Sequence, residues 1–298
     1  MGEDRPDAGS ETRWDKLHLD RLLALDTRAA AHFRSRCSED NRNGRVFGGQ
    51  LLGQALGAAQ AGVAPGRAPA SMQVIFMQGA LVDQPIDYGV DVLQEGKRFS
   101  SRRVHATQGE RSIISAHISF AEPIDSQVHS AVPGLAYPPP AQVLPMHRLA
   151  DKGGPAFHGI DWPLFEKPCL ELRIIDPGQH LTGCSPAPTM AFWVRLRAPL
   201  GEGAATHAAA LAYLSDYWIN SAAITHHIPA RDAHAAAYIA SLNHAIWFHR
   251  PGRADGWLLF ELDSPAMREG RALSHARIFA EDGVLLASAT QECLFVRR

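Results

Sequence analysis

The sequence predicts an α+β protein built from two tandem repeats, each a curved antiparallel sheet wrapped around one central helix. Three observations carry this prediction. First, "EGKRFSSRRVHATQG" (95–109) recurs as "EGRALSHARIFAEDG" (269–283) at an offset of 174, sharing Glu95/Glu269, Gly96/Gly270, Ser100/Ser274, Arg103/Arg277, Ala106/Ala280 and Gly109/Gly283. Second, each copy is followed by an alternating strand, "SIISAHISF" or "LLASATQECLF", and preceded by an aromatic strand, "QVIFMQ" or "HAIWFH". Third, each has one helical segment rich in small residues farther upstream, "GGQLLGQALGAAQ" or "AAALAYLSDYWINSAA".

Taken from the N-terminus, "WDKLHLDRLLAL" (14–25) is amphipathic and predicts a packing helix. Residues 121–146 are rich in proline and lack periodicity, which predicts an extended connector. The expected division is therefore a repeat over 1–122, a proline-rich linker over 123–165, and a second repeat over 166–298. Two such units in tandem would pack as a pseudo-dimer.

The 298 residues, 46% hydrophobic and 20% charged, suffice for a large core in one large or two medium domains. A formal net charge of −2 with interspersed signs gives no electrostatic footprint for nucleic acid or an anionic membrane. Cys37, Cys169, Cys184 and Cys293 show neither a paired motif nor metal-ligand spacing, which predicts reduced thiols. His226, His227 and His234 form no helical pair with a carboxylate, so neither a metal nor a cofactor is expected. The polar start "MGEDRPDAGSETRWDK" and the end "FVRR" resemble no export or peroxisomal signal, and the expected location is the cytoplasm.

Three polar residues break the apolar pattern. From Gly203 through Ala230 the only fully charged side chain is Asp216, amid Leu211, Leu214, Tyr217, Trp218 and Ile219. A helix that is apolar nearly all round belongs inside, where an ionised carboxylate costs several kcal/mol unless something replaces its hydration. In the last strand Leu285, Ala287, Ala289, Gln291, Cys293 and Phe295 share a face, with Gln291 the polar exception. In "SLNHAIWFHRP", Ser241 shares its parity with Asn243 and Ala245, and His244 lies on the other face with Leu242 and Ile246. Aligning the repeats sets Asp216 opposite Gln50, Ser241 opposite about Ala70, and Gln291 opposite about Ser119, so the three polar groups belong to the second copy only.

The stretches "VFGGQLLGQAL" (46–56), "SDYWIN" (215–220), "NHAIWFHRP" (243–251), "DGWLLFELDSP" (255–265) and "DGVLLASATQE" (282–292) resemble the acyl-CoA thioesterase II family. That resemblance implies a double hot-dog fold and hydrolysis of fatty acyl-CoA to free acid and coenzyme A. It also implies an Asp, a Thr or Ser, and a Gln that hold the attacking water. These fall on Asp216, Ser241 and Gln291, with Gly48, Gly49 and His244 expected to bind substrate. The expected partners are acyl-CoA and further copies of the chain, with no membrane span.

Lys97, Arg98, Arg102, Arg103 and Arg250 are candidates for the coenzyme A phosphates. The chain departs from the family pattern at Asn243, usually Asp, and at "FMQGA" (76–80), usually Phe-Leu-Arg-Pro-Gly. The alternatives are a non-catalytic acyl-CoA-binding module, a hot-dog enoyl-CoA hydratase, and a covalent route through an activated Ser or Cys. The hydratase reading expects a histidine a few residues after the aspartate, and the covalent reading lacks its strand-turn-helix elbow.

Overall fold

Alternating apolar residues drive twelve strands into one continuous antiparallel sheet in the computed structural model, which describes residues 14–41, 44–160 and 166–298. The first 13 residues of the expected N-terminal repeat, its residues 42–43, and 161–165 of the expected linker lie outside the described residues. In the first half lie β1 (Leu25–Ala29), β2 (His32–Ser35), β3 (Ala68–Phe76), β4 (Asp87–Glu95), β5 (Phe99–Gln108) and β6 (Arg111–Ala121). The second half supplies β7 (Leu170–Ile174), β8 (Thr189–Leu196), β9 (Ala237–Phe248), β10 (Leu258–Arg268), β11 (Arg271–Ala280) and β12 (Leu285–Arg297).

The strand order β1-β2-β4-β5-β6-β3-β9-β12-β11-β10-β8-β7 reads as one half followed by its mirror order. The halves join where β3 pairs antiparallel with β9, from Ser71↔Trp247 to Ile75↔Asn243, a register centred on Gln73↔Ala245. This is the pseudo-dyad that the internal repeat calls for.

The helices are α1 (Leu19–Leu23), α2 (Gly48–Gln60), α3 (Leu149–Lys152), α4 (Ala204–Ser215), α5 (Ser221–Thr225) and α6 (Ala230–Ala236). The helix expected over 14–25 is shorter. Asp15 accepts hydrogen bonds from the backbone N–H groups of Leu17 and His18, a local turn that delays the helix to Leu19.

The connector expected over 123–165 divides into two parts. Residues 122–131 carry no regular structure and are largely exposed, whereas the following stretch is fastened to the second half. There Gly134 N–H and Tyr137 O–H both donate to Glu261 Oε1, at 2.7 and 2.8 Å, and Trp193 Nε1 donates to the Pro138 carbonyl at 2.9 Å.

α2 and α4 run antiparallel through the core, and glycines let them touch. A Cβ on Gly49 would overlap the Tyr213 carbonyl oxygen, and one on Gly53 would stand 2.9 Å from the Ala209 carbonyl oxygen and 2.8 Å from the Leu23 side chain. A partly buried ion pair locks the same contact: Lys167 Nζ lies 2.6 Å from Glu39 Oε1 and 3.7 Å from the Phe47 ring centroid, while Tyr213 O–H donates to Glu39 Oε2 at 2.9 Å.

Glycine packing can be separated from glycine flexibility within this one helix. Replacing glycine by alanine in a helix gains about 1 kcal/mol of propensity, whereas overpacking against a fixed backbone costs about 1–3 kcal/mol. Gly57 has no atom within 4 Å of its would-be Cβ. Gly57→Ala is therefore expected to hold or raise Tm and Gly53→Ala to lower it, and thermal denaturation of both variants checks the contrast.

Candidate active site

Asp216 is the residue at which α4 ends. It caps the C-terminus with φ −84° and ψ −15°, and Trp218, at φ +63°, turns the chain toward α5. A carboxylate at the end of a helix would ordinarily reach water, yet Asp216 is only 8% exposed. The reason lies in the helix opposite. Asp216 Oδ2 lies 2.7 Å from the point where a Cβ on Gly48 would stand, and the Phe76 ring approaches that point to 3.3 Å. Gly48 is the first residue of α2, an end that no side chain caps. Its first-turn N–H groups carry the positive end of the helix dipole, which favours an anion at that position.

The polar residues of the sheet meet on its inner face. Gln291 stands directly opposite His244 in the β12–β9 register and opposite Ser274 in the β11–β12 register. Gln291 Nε2 donates to Ser241 Oγ at 3.0 Å, His244 Nδ1 lies 2.6 Å from Gln291 Oε1, and His244 Nε2 lies 2.9 Å from Ser215 Oγ. Strict alternation predicts Ser241 and His244 on opposite faces. A β-bulge overturns that parity: Glu292 pairs with Asn243 and Cys293 with Ser241, so Leu242 is passed over and Ser241 rotates to the His244 face.

The structure thus joins Ser241, Gln291 and His244 by hydrogen bonds, and it sets Asp216 beside Gly48. Asp216 is also close enough to raise the pKa of His244, although burial dominates and holds the imidazole below its ordinary value. Gly49 faces the α4 backbone with its hydrogen, so its place is in helix packing, and only its peptide group belongs to the α2 terminus. His244 is 1% exposed, with both ring nitrogens engaged inside the protein.

Two further expectations change. Of the cationic candidates, Arg102 is 2% exposed and paired with Glu95 at 2.6 Å, so it serves the fold, whereas Arg103 is exposed in a surface pair with Asp91 at 2.6 Å. The match of Asp216 to Gln50 also fails. Gln50 lies in the first turn of α2, where its amide serves the Glu39 N–H and the Cys37 carbonyl, whereas by helix ends the counterpart of Asp216 is Ala61, the C-cap of α2.

The departure at Asn243 leaves His244 untouched, since the Asn243 amide donates to Glu292 Oε2 at 3.1 Å. At "FMQGA", Arg111 donates to the Gln78 side chain and to the Gly79 carbonyl. Sequence reasoning missed Ser215 and Ser274. The first is a polar residue beside Asp216 on the same apolar helix, and the second is shared by both repeats, with a buried hydroxyl that has no hydrogen-bond partner.

An antiparallel sheet around two antiparallel helices is the double hot-dog architecture. The acyl-CoA thioesterase N-terminal domain matches residues 38–121, and the acyl-CoA thioesterase C-terminal domain matches residues 140–295. The chain is 32% identical to acyl-coenzyme A thioesterase 8 of Mus musculus over 256 residues, covering 83% of this chain and 79% of that one. It is 28% identical to acyl-CoA thioesterase 2 of Haemophilus influenzae, covering 93% and 96%. An acyl-CoA thioesterase II structure from Mycobacterium marinum superposes with a TM-score of 0.77 at 28% identity, covering 94% of this chain and 99% of that one. This chain belongs to the acyl-CoA thioesterase II family.

A Cβ at position 48 would stand 2.7 Å from Asp216 Oδ2, so the carboxylate would have to shift. Gly48→Ala is expected to displace the carboxylate and lower kcat at least about 10-fold, the scale of a small misplacement at a reacting centre. Steady-state kinetics beside a Tm measurement checks this, and unchanged kcat would remove Gly48 from the site.

Proposed function

We propose that Asp216, Ser241 and Gln291 hold and activate the water with which this acyl-CoA thioesterase cleaves its substrate. The observation that carries the reading is the carboxylate of Asp216 set against the uncapped start of α2, beside a sheet face bearing Gln291 and Ser241 in hydrogen-bond contact. Hydrolysis needs a base for the water, a group to orient it, and donors for the oxyanion that forms at the thioester carbonyl. Asp216 takes the proton as the water oxygen bonds to the carbonyl carbon. Ser241 and the Gln291 amide orient that water, and the peptide N–H groups at Gly48 and Gly49 stabilise the oxyanion. Collapse of the tetrahedral intermediate breaks the C–S bond, the proton held by Asp216 passes to the departing thiolate, and coenzyme A and a free acid leave.

A covalent route through the neighbouring thiol is disfavoured. The Cys293 pKa is pushed up to about 12, chiefly by burial, and a thiol held protonated is a poor nucleophile. The same reading takes fatty acyl groups as the acyl portion, copies of this chain as partners in a homo-oligomer, and the cytoplasm as the location. It divides the chain into repeats at 1–122 and 166–298 joined by 123–165. Among the described residues no helix is long and apolar enough to cross a membrane.

The direct test is release of free thiol from acyl-CoAs ranging from acetyl to palmitoyl. Wild-type protein is expected to release it, and binding without release would identify a non-catalytic acyl-CoA module. Asp216→Asn keeps the shape and removes the base, so turnover should fall about 10²- to 10⁴-fold with Tm unchanged or higher. Full turnover by that variant would sink the assignment.

Ser241→Ala and Gln291→Ala should each slow turnover, while the double variant should lose much less than the product of the two single losses, because both act on one water. Ser241→Thr keeps the hydroxyl and should retain activity. Strictly multiplicative losses in a double-mutant cycle would place the two residues in separate tasks.

A further inference from the structure

We propose that His244 and Ser215 are positioning residues that fix which way the Gln291 amide faces, and so leave the Ser241 hydroxyl proton free for the reacting water. This rests on the reading of Ser241 and Gln291 given above. The observation is a continuous chain of polar contacts from the end of α4 to the sheet: Ser215 Oγ, His244, Gln291 and Ser241, with separations of 2.9, 2.6 and 3.0 Å, and with the Ala212 carbonyl 2.8 Å from Ser215 Oγ as an alternative acceptor for its one proton. Ser215 immediately precedes Asp216, so the chain ties the helix end bearing the base to the strands bearing the other two groups. Ser215, His244 and Gln291 are each no more than 1% exposed, and burial favours a neutral imidazole with one ring proton.

Proton counting then separates two arrangements. With the proton on Nε2, the ring donates to Ser215 Oγ, and Ser215 donates to the Ala212 carbonyl. Nδ1 is then an acceptor, so Gln291 must turn its NH₂ toward His244 and its carbonyl toward Ser241. The single Ser241 proton is consumed by that carbonyl. With the proton on Nδ1, the ring donates to Gln291 Oε1, the Gln291 NH₂ donates to Ser241 Oγ, and Ser215 gives its proton to Nε2, which releases the Ala212 carbonyl. Ser241 now receives a hydrogen bond from behind and keeps its own proton to donate forward.

In its amide orientation, with Gln291 Oε1 toward His244 and Nε2 toward Ser241, the structure matches the second arrangement, in which the 2.8 Å contact of Ser215 Oγ with the Ala212 carbonyl carries no proton. Only that arrangement lets Ser241 donate to a water whose own proton goes to Asp216. The choice of tautomer is thus transmitted through Gln291 to the hydroxyl.

Two substitutions divide the ring's functions. His244→Asn keeps a donor near the Nδ1 position and loses the contact to Ser215, whereas His244→Gln keeps a polar group near Nε2 and loses the donor to Gln291. His244→Gln is expected to lower kcat by about 10- to 100-fold with KM within about two-fold, and His244→Asn to retain several-fold more kcat. Equal kcat losses in the two variants that track their Tm values would show that the ring only fills space, and would overturn the proposal.

A measurement on the wild-type protein reads the tautomer directly. Nitrogen-15 NMR of the imidazole, assigned by the signal lost in His244→Asn, should show the proton on Nδ1 and a bare Nε2, and a proton on Nε2 would overturn the proposal. Ser241→Ala and Gln291→Ala are measured alongside. If they lose turnover while His244→Gln does not, only the positioning role fails. If they keep full turnover, the reading of the water-holding pair fails and the positioning role falls with it.

Discussion

The site depends on how closely two helices can approach. α2 and α4 cross the core with carbonyl oxygens of α4 set against Gly49 and Gly53, positions where any Cβ would meet backbone that has nowhere to move. Because the helices are antiparallel, this contact brings the start of α2 to the end of α4. One end offers peptide N–H groups without a capping side chain, and the other offers Asp216. A larger residue at Gly49 or Gly53 would separate the ends and leave the carboxylate in an apolar interior without the field that favours it. The Glu39–Lys167 ion pair and the Tyr213 hydroxyl hold the same crossing from the side, tying the segment before α2 to the second half.

The chemistry around Asp216 is selective because the competing groups are already occupied. The Cys293 thiol is held protonated by burial, and both nitrogens of His244 are engaged. A hydratase-type arrangement needs an imidazole a few residues beyond the aspartate on the helix, and Asn220 and Ser221 occupy that stretch.

The pseudo-dyad makes the two halves alike in sheet order but different in chemistry. Where α4 ends in Ser215 and Asp216, α2 ends in Gln60 and Ala61, so the symmetry-related position has no carboxylate. The first half still contributes the Gly48 terminus, the Phe76 ring beside it, and β3, which pairs with β9 and covers its edge. One half carries the polar side chains, and both are needed to form the site.

By itself the sequence determined the α+β class, the tandem repeat and the polar residues of the second copy. Hydrophobic period, turn residues and a lone carboxylate on an apolar helix are local signals, and Asp216, Ser241 and Gln291 could be singled out from them. Tertiary structure decided how those residues meet. The passed-over Leu242 reverses the strand parity and brings Ser241 to the face of His244, and a bulge depends on the partner strand, which alternation within one strand does not record. Likewise the neighbour of Asp216 is Gly48, 168 positions earlier in the sequence, because an antiparallel helix crossing fixes that contact. The counterpart of Asp216 was misread as Gln50 for the same reason: sequence alignment compares residues along the chain, whereas helix ends are compared in space.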